Sequence, residues 1–78
     1  MNNRMKFKAV FKGYRTVDDT THYLVRRIPT HVLYFISCKE YPEYVGELKV
    51  DDKLEIEADF DRQVSQGGVL KDIVWRKL

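Results

Sequence analysis

One cysteine, two histidines and two prolines among 78 residues leave little chemistry to choose from, and each scarcity excludes a class of protein. Cys38 stands alone, so no disulfide closes within this sequence. With only His22 and His31 to join it, no zinc constellation can be assembled either. The thiol reads as a small buried group. The longest apolar run covers only residues 32–36, whereas a bilayer span needs about 20 apolar residues. The chain does not read as a membrane protein. Arg4 supplies an early charge, but no apolar stretch or small-residue cleavage site follows it, so no secretory signal is legible and a cytoplasmic location is expected. No glycine-rich phosphate loop and no nucleophile elbow is present, and no cofactor is implied.

What the chain does contain is alternation. From Leu54 the apolar Leu54, Ile56, Ala58 and Phe60 are interleaved with Lys53, Glu55, Glu57, Asp59 and Asp61, the period-two pattern of a strand with one buried and one solvated face. Asp51 and Asp52 before it suit a tight turn. Phe7, Ala9 and Phe11 alternate in the same way with Lys6, Lys8, Val10 and Lys12, giving a strand with a basic outer face, until Gly13 signals a bulge or bend. Residues 16–21 are turn formers and predict a hairpin leading into a strand over 22–28, whose orientation stays open because neither face is wholly apolar. Pro29 interrupts, and residues 31–38 form a β-favouring strand apolar on both faces. Such a strand is either covered on both sides or offers one face to a ligand. Residues 39–44 read as a loop with room for a helical turn, and residues 62–68 as a loop with Gly67 and Gly68 at its tip. The last ten residues admit a strand or a short helix, and Val69, Ile73, Val74 and Trp75 favour the strand.

A chain of this length has interior for one core, so residues 6–78 are expected to form a single domain and residues 1–5 a loose arm. Five short strands in so small a domain predict an all-β fold, a small closed barrel, since an open sheet would leave half the apolar faces wet.

Leu48-Lys-Val-Asp-Asp-Lys-Leu-Glu-Ile-Glu, then the Gly67-Gly68 loop, then Leu70-Lys-Asp-Ile-Val-Trp-Arg-Lys-Leu resembles the last two strands of cold-shock domains and related OB-fold barrels. The layout of the earlier segments is similar too: a basic first strand, a hairpin, an aromatic third strand and a long connection through Tyr41 and Pro42. The resemblance implies a five-stranded OB-like barrel. Cold-shock domains read single strands through two aromatic motifs. Here the first is replaced by Thr21-His-Tyr-Leu-Val-Arg-Arg, and the second survives as His31, Tyr34 and Phe35. A shared barrel does not by itself carry over a shared ligand.

Catalytic candidates are few: two histidines at strand ends, and carboxylates at 55, 57, 59 and 61 along a solvated face. The expectation is a binder and not an enzyme. Charge is distributed unevenly. Residues 1–27 carry seven cations against two acids, or +5; residues 28–52 carry two against five, or −3; residues 53–78 balance at five each. This predicts one positive and one negative surface. Single-stranded DNA or RNA needs cations along its phosphates and aromatic faces under its bases. Lys6, Lys8, Lys12, Arg26 and Arg27 are the candidate cations, and Tyr14, His31, Tyr34 and Phe35 the candidate rings, with Tyr23 and Trp75 as further platforms. The alternative is a protein partner, bound as by an inhibitor or adaptor through Glu43, Glu47 and Asp59. These belong to a stretch with nine carboxylates against Lys49 and Lys53.

Overall fold

Three segments with an apolar face each require one shared interior, and a ring of strands supplies it. The computed structural model describes residues 4–40 and 47–78. Strands β1 (Met5–Val17), β2 (Thr20–Ile28), β3 (Leu33–Ser37), β4 (Lys53–Val64) and β5 (Gly67–Lys77) close a barrel in the order β1-β2-β3-β5-β4. Neighbours are antiparallel except β3 and β5, which run parallel through Tyr34 opposite Gly68, Phe35 opposite Val69 and Ile36 opposite Leu70. A 3-10 turn, Cys38–Glu40, follows β3. No helix among the described residues is long and apolar enough to cross a membrane.

The interior is built by the alternating residues. Phe7, Ala9 and Phe11 of β1 meet Leu54, Ile56 and Ala58 of β4, with Tyr23, Val25, Tyr34, Ile36, Leu70 and Trp75 completing the core. At Gly13 the register between β1 and β2 slips by one residue, and the glycine sits at φ +110 with open space where a Cβ would stand. The backbone angle is therefore what requires glycine there. The slip returns Tyr14 to the side of Phe11, whose ring lies 5.6 Å away, edge-on. The turn after β4's predecessor loop is fastened to this same bulge: Asp51 N–H donates to Phe11 O (2.8 Å) and Phe11 N–H donates to Asp52 O (2.9 Å).

Several boundaries differ from the sequence reading. The two hairpins are tighter than expected, with β1 and β2 joined by Asp18 and Asp19 alone, both at positive φ. Positive φ at both positions matches the twist of the flanking strands. Likewise β4 and β5 extend through most of the expected 62–68 loop and turn at Ser65 and Gln66. The final segment is strand, because Ile56 and Phe60 of β4 pair with Trp75 and Leu70. β3 starts at Leu33, leaving His31 and Val32 in the connection. At the N-terminus, Met5 already pairs with Ala58, and Arg4 bonds to Glu57, so neither is loose. Of the expected 39–44 loop, residues 41–44 lie outside the described residues.

Phe60 corrects the expected inward set. β4 leaves β1 after Ala58, and register shifts between Glu57 and Asp59 and between Phe60 and Arg62 bend the strand. Phe60 is consequently 43% exposed. It lies beside Gly68, where a Cβ would come within 2.7 Å of its ring.

Candidate nucleic-acid interface

The register decides which charges meet. Opposed residues of neighbouring strands stand about 5 Å apart on a common face. On the outer surface Lys6 faces Glu57 and Lys8 faces Glu55 across the β1 and β4 ladder. The two surfaces of opposite sign expected from the sequence are therefore interleaved. Lys6 Nζ lies 4.0 Å from Glu55, Arg76 lies 3.0 Å from the same carboxylate, and Arg4 joins Glu57 (2.9 Å) and Asp59 (3.5 Å). Lys12, beside the bulge, is taken by Asp51 at 2.8 Å.

Of the cations left without such partners, three are gathered by register. Val10 is flanked by Lys53 on β4 and Arg26 on β2, in one row across three strands, and Lys8 stands in the next outward row. None of Lys8, Arg26 and Lys53 forms an ion pair with a described residue. Arg15 is exposed farther along the outer face, opposite His22. Lys53 was absent from the candidate cations because its sequence neighbours are acidic. Only the pairing of Val10 with Lys53, 43 residues apart, places it here. Arg27 departs from the group: alternation along β2 sends it inward, where its guanidinium covers the Phe7 ring at 5.0 Å from the centroid.

The candidate rings divide. His31 is exposed, in the connection that follows Ile28, which pairs with Lys8; its N–H donates to Arg27 O (2.9 Å). Tyr14 is 58% exposed. Tyr34 and Phe35 are buried, which corrects the expectation that they offer stacking faces. Tyr34 belongs to the interior, 5.0 Å from the Phe7 ring, and Tyr23 and Trp75 are core residues as well. Phe35 points outward from β3 but is only 1% exposed, because it forms a second small core with Leu24 and Val69, against which Val17, Leu33 and Val64 pack. The two long hairpins fold over it. The doubly apolar β3 is therefore covered on both sides. A cleft of about 180 Å³ remains between Val17 and Asp18 of one hairpin and Val64, Ser65 and Gln66 of the other, with Phe35 beneath.

Compared with family models, curated proteins and solved structures, the chain has no match.

Glu43 lies outside the described residues, Glu47 is exposed, and Asp59 is half-buried beside Arg4. Asp52 has a structural part: Lys49 N–H donates to its carboxylate (2.8 Å) and Lys77 Nζ lies 3.2 Å away, so the hydrogen bond and then the ammonium hold its pKa below the usual carboxylate range. Cys38 is half-buried rather than fully enclosed; burial pushes its thiol pKa up, and a hydrogen bond with Tyr23 opposes the shift. A raised pKa keeps the thiolate fraction small. Among the described residues no group of three or more metal-ligating side chains comes together.

Proposed function

We propose that the protein is a non-enzymatic, cytoplasmic barrel that binds single-stranded DNA or RNA on the outer face of β4, β1 and β2. The observation that carries this reading is the set of cations without an ion pair, Lys8, Arg26 and Lys53, gathered by strand register on one surface, beside Lys6 and Arg76, which share Glu55. A cation held in no ion pair is free to replace a phosphate's counterion, and the released ions drive association. The exposed His31 ring beside this face is the stacking platform. The strand order, with β3 and β5 parallel at the closure, supports the resemblance to OB-fold barrels, which bind oligonucleotides.

The test is fluorescence anisotropy of a labelled single-stranded oligonucleotide, begun at low salt. Binding should weaken with salt at a logarithmic slope of about −2, the value for roughly three phosphates on a single strand. Lys8→Glu with Lys53→Glu, both exposed positions, should weaken it at least tenfold and flatten the slope. Absence of binding at low salt, or undiminished binding by the double variant, would overturn the reading.

A further inference from the structure

His22 is only 4% exposed and is the buried polar side chain among the described residues. It plays no part in the face described above. Its Nδ1 lies 2.8 Å from Thr20 O, and because a carbonyl only accepts, Nδ1 carries the proton of that bond. Nε2 has no hydrogen-bond partner among the described residues.

The imidazole lines a cleft of about 260 Å³ beside the β1 and β2 turn. Ser37, which pairs with His22 across the strands, and Lys39, in the 3-10 turn, line it too. Ser37 Oγ accepts a hydrogen bond from Lys39 N–H (3.2 Å), so its own O–H remains to donate. Lys39 makes no ion pair with a described residue. The cleft's two acids are engaged: Arg62 bridges Asp18 and Asp61, and Lys71 Nζ lies 4.0 Å from Asp61. Counting Lys39, Arg62 and Lys71 against Asp18 and Asp61 leaves three minus two, or +1. At about 30 Å³ per water, the space exceeds what a tetrahedral oxyanion needs.

We propose that this cleft binds a phosphate group, free or at the end of a monoester, held by the Ser37 hydroxyl, the Lys39 ammonium and Nε2 of His22. A dianionic phosphate accepts from all three, and charge-assisted hydrogen bonds of this kind are the strong ones. Nδ1 keeps its bond to Thr20 O, so a hydrogen bond between Nε2 and the phosphate needs one proton, carried by the ring against a dianion or by the phosphate as a monoanion. The other groups facing the ring in the cleft are Asp18 from the hairpin, Asp61 and Arg62 from β4 and Lys71 from β5. The site is separate from the Lys8 face and stands independently of strand binding.

Imidazole ¹H–¹⁵N spectra of the intact protein give the readout, since His22 and His31 are the only histidines. Inorganic phosphate added at constant ionic strength near pH 6 should shift the His22 signals saturably and leave those of His31 in place. Chloride at the same ionic strength should do neither. Lys39→Ala, at an exposed position, should weaken phosphate about tenfold or more. A His22 spectrum unmoved by phosphate, moved equally by chloride, or unaffected by Lys39→Ala would overturn the proposal. Oligonucleotides with and without a 5′-phosphate then name the source. If only the phosphorylated one displaces inorganic phosphate, the site takes a strand terminus; if neither does, it takes free phosphate. Both results retain the site, whatever happens at the Lys8 face.

Discussion

At the scale of single residues, burial separates side chains that carry stability from those that are free to bind. Ile56 is fully enclosed between Phe7 of β1 and Trp75 of β5. Ile56→Ala should cost about 2–5 kcal/mol, against a total of roughly 4–12 kcal/mol for a chain of this length. An unchanged denaturation midpoint would refute the placement. Phe35→Ala should behave in the same way, losing about 3–5 kcal/mol, whereas a stacking platform would lose binding and keep its stability. Asp52 gives a pH prediction. Its pKa is depressed in the folded state, so its contribution is present above the unfolded carboxylate range and is lost as pH falls through the folded pKa. Asp52→Ala should therefore lower the melting temperature at pH 7, with the difference from the parent protein shrinking in acid. A difference that held constant down to pH 2 would contradict this.

At the scale of elements, two glycines are needed for different reasons. Gly13 has no neighbour within 4 Å of a would-be Cβ, but its φ of +110 strains any side-chain-bearing residue. At Gly67 a Cβ would stand 2.3 Å from Leu33 O, a backbone atom that cannot move unless β3 parts from β5. Gly67→Ala should cost on the order of 1–3 kcal/mol by overpacking and loosen the one parallel seam of the barrel. Hydrogen exchange should show this as lost protection at residues 34–36 and 68–70. Gly13→Ala should lower stability while leaving protection at that seam in proportion to the rest. Equal losses at both places would mean that the seam does not depend on the close approach.

At the scale of the whole molecule, the net charge of +2 is a poor guide to the surface, because several N-terminal cations stand beside distant carboxylates: Arg4 by Glu57 and Asp59, Lys6 by Glu55 and Lys12 by Asp51. What remains free is local, and cation and ring variants should fail in different ways. His31→Ala should weaken oligonucleotide binding with the salt slope nearly unchanged, since stacking displaces few ions. Lys8→Glu should reduce the slope by about one phosphate's share. If the two variants altered the slope alike, His31 would be acting as a charge and not as a platform.

The sequence by itself determined the strand faces and the class of fold. The alternation at residues 7–11 and 54–58 is a local property of an extended backbone, in which side chains two apart share a face wherever the strand is placed. The turn at Asp51 and Asp52 and the bulge at Gly13 were also legible, because they depend on a few adjacent residues. Only the tertiary structure decided which faces are wet. Phe60 alternates faultlessly yet is exposed, since β4 has already parted from β1 at that point. Phe35 faces outward yet is buried, since Val17 and Val64 from two distant hairpins pack over it. Lys53 sits in the most acidic stretch of the chain, yet joins Lys8 and Arg26 through a ladder closed between residues 43 positions apart. Register and closure are long-range relations, and a pattern that repeats every second residue holds no record of them.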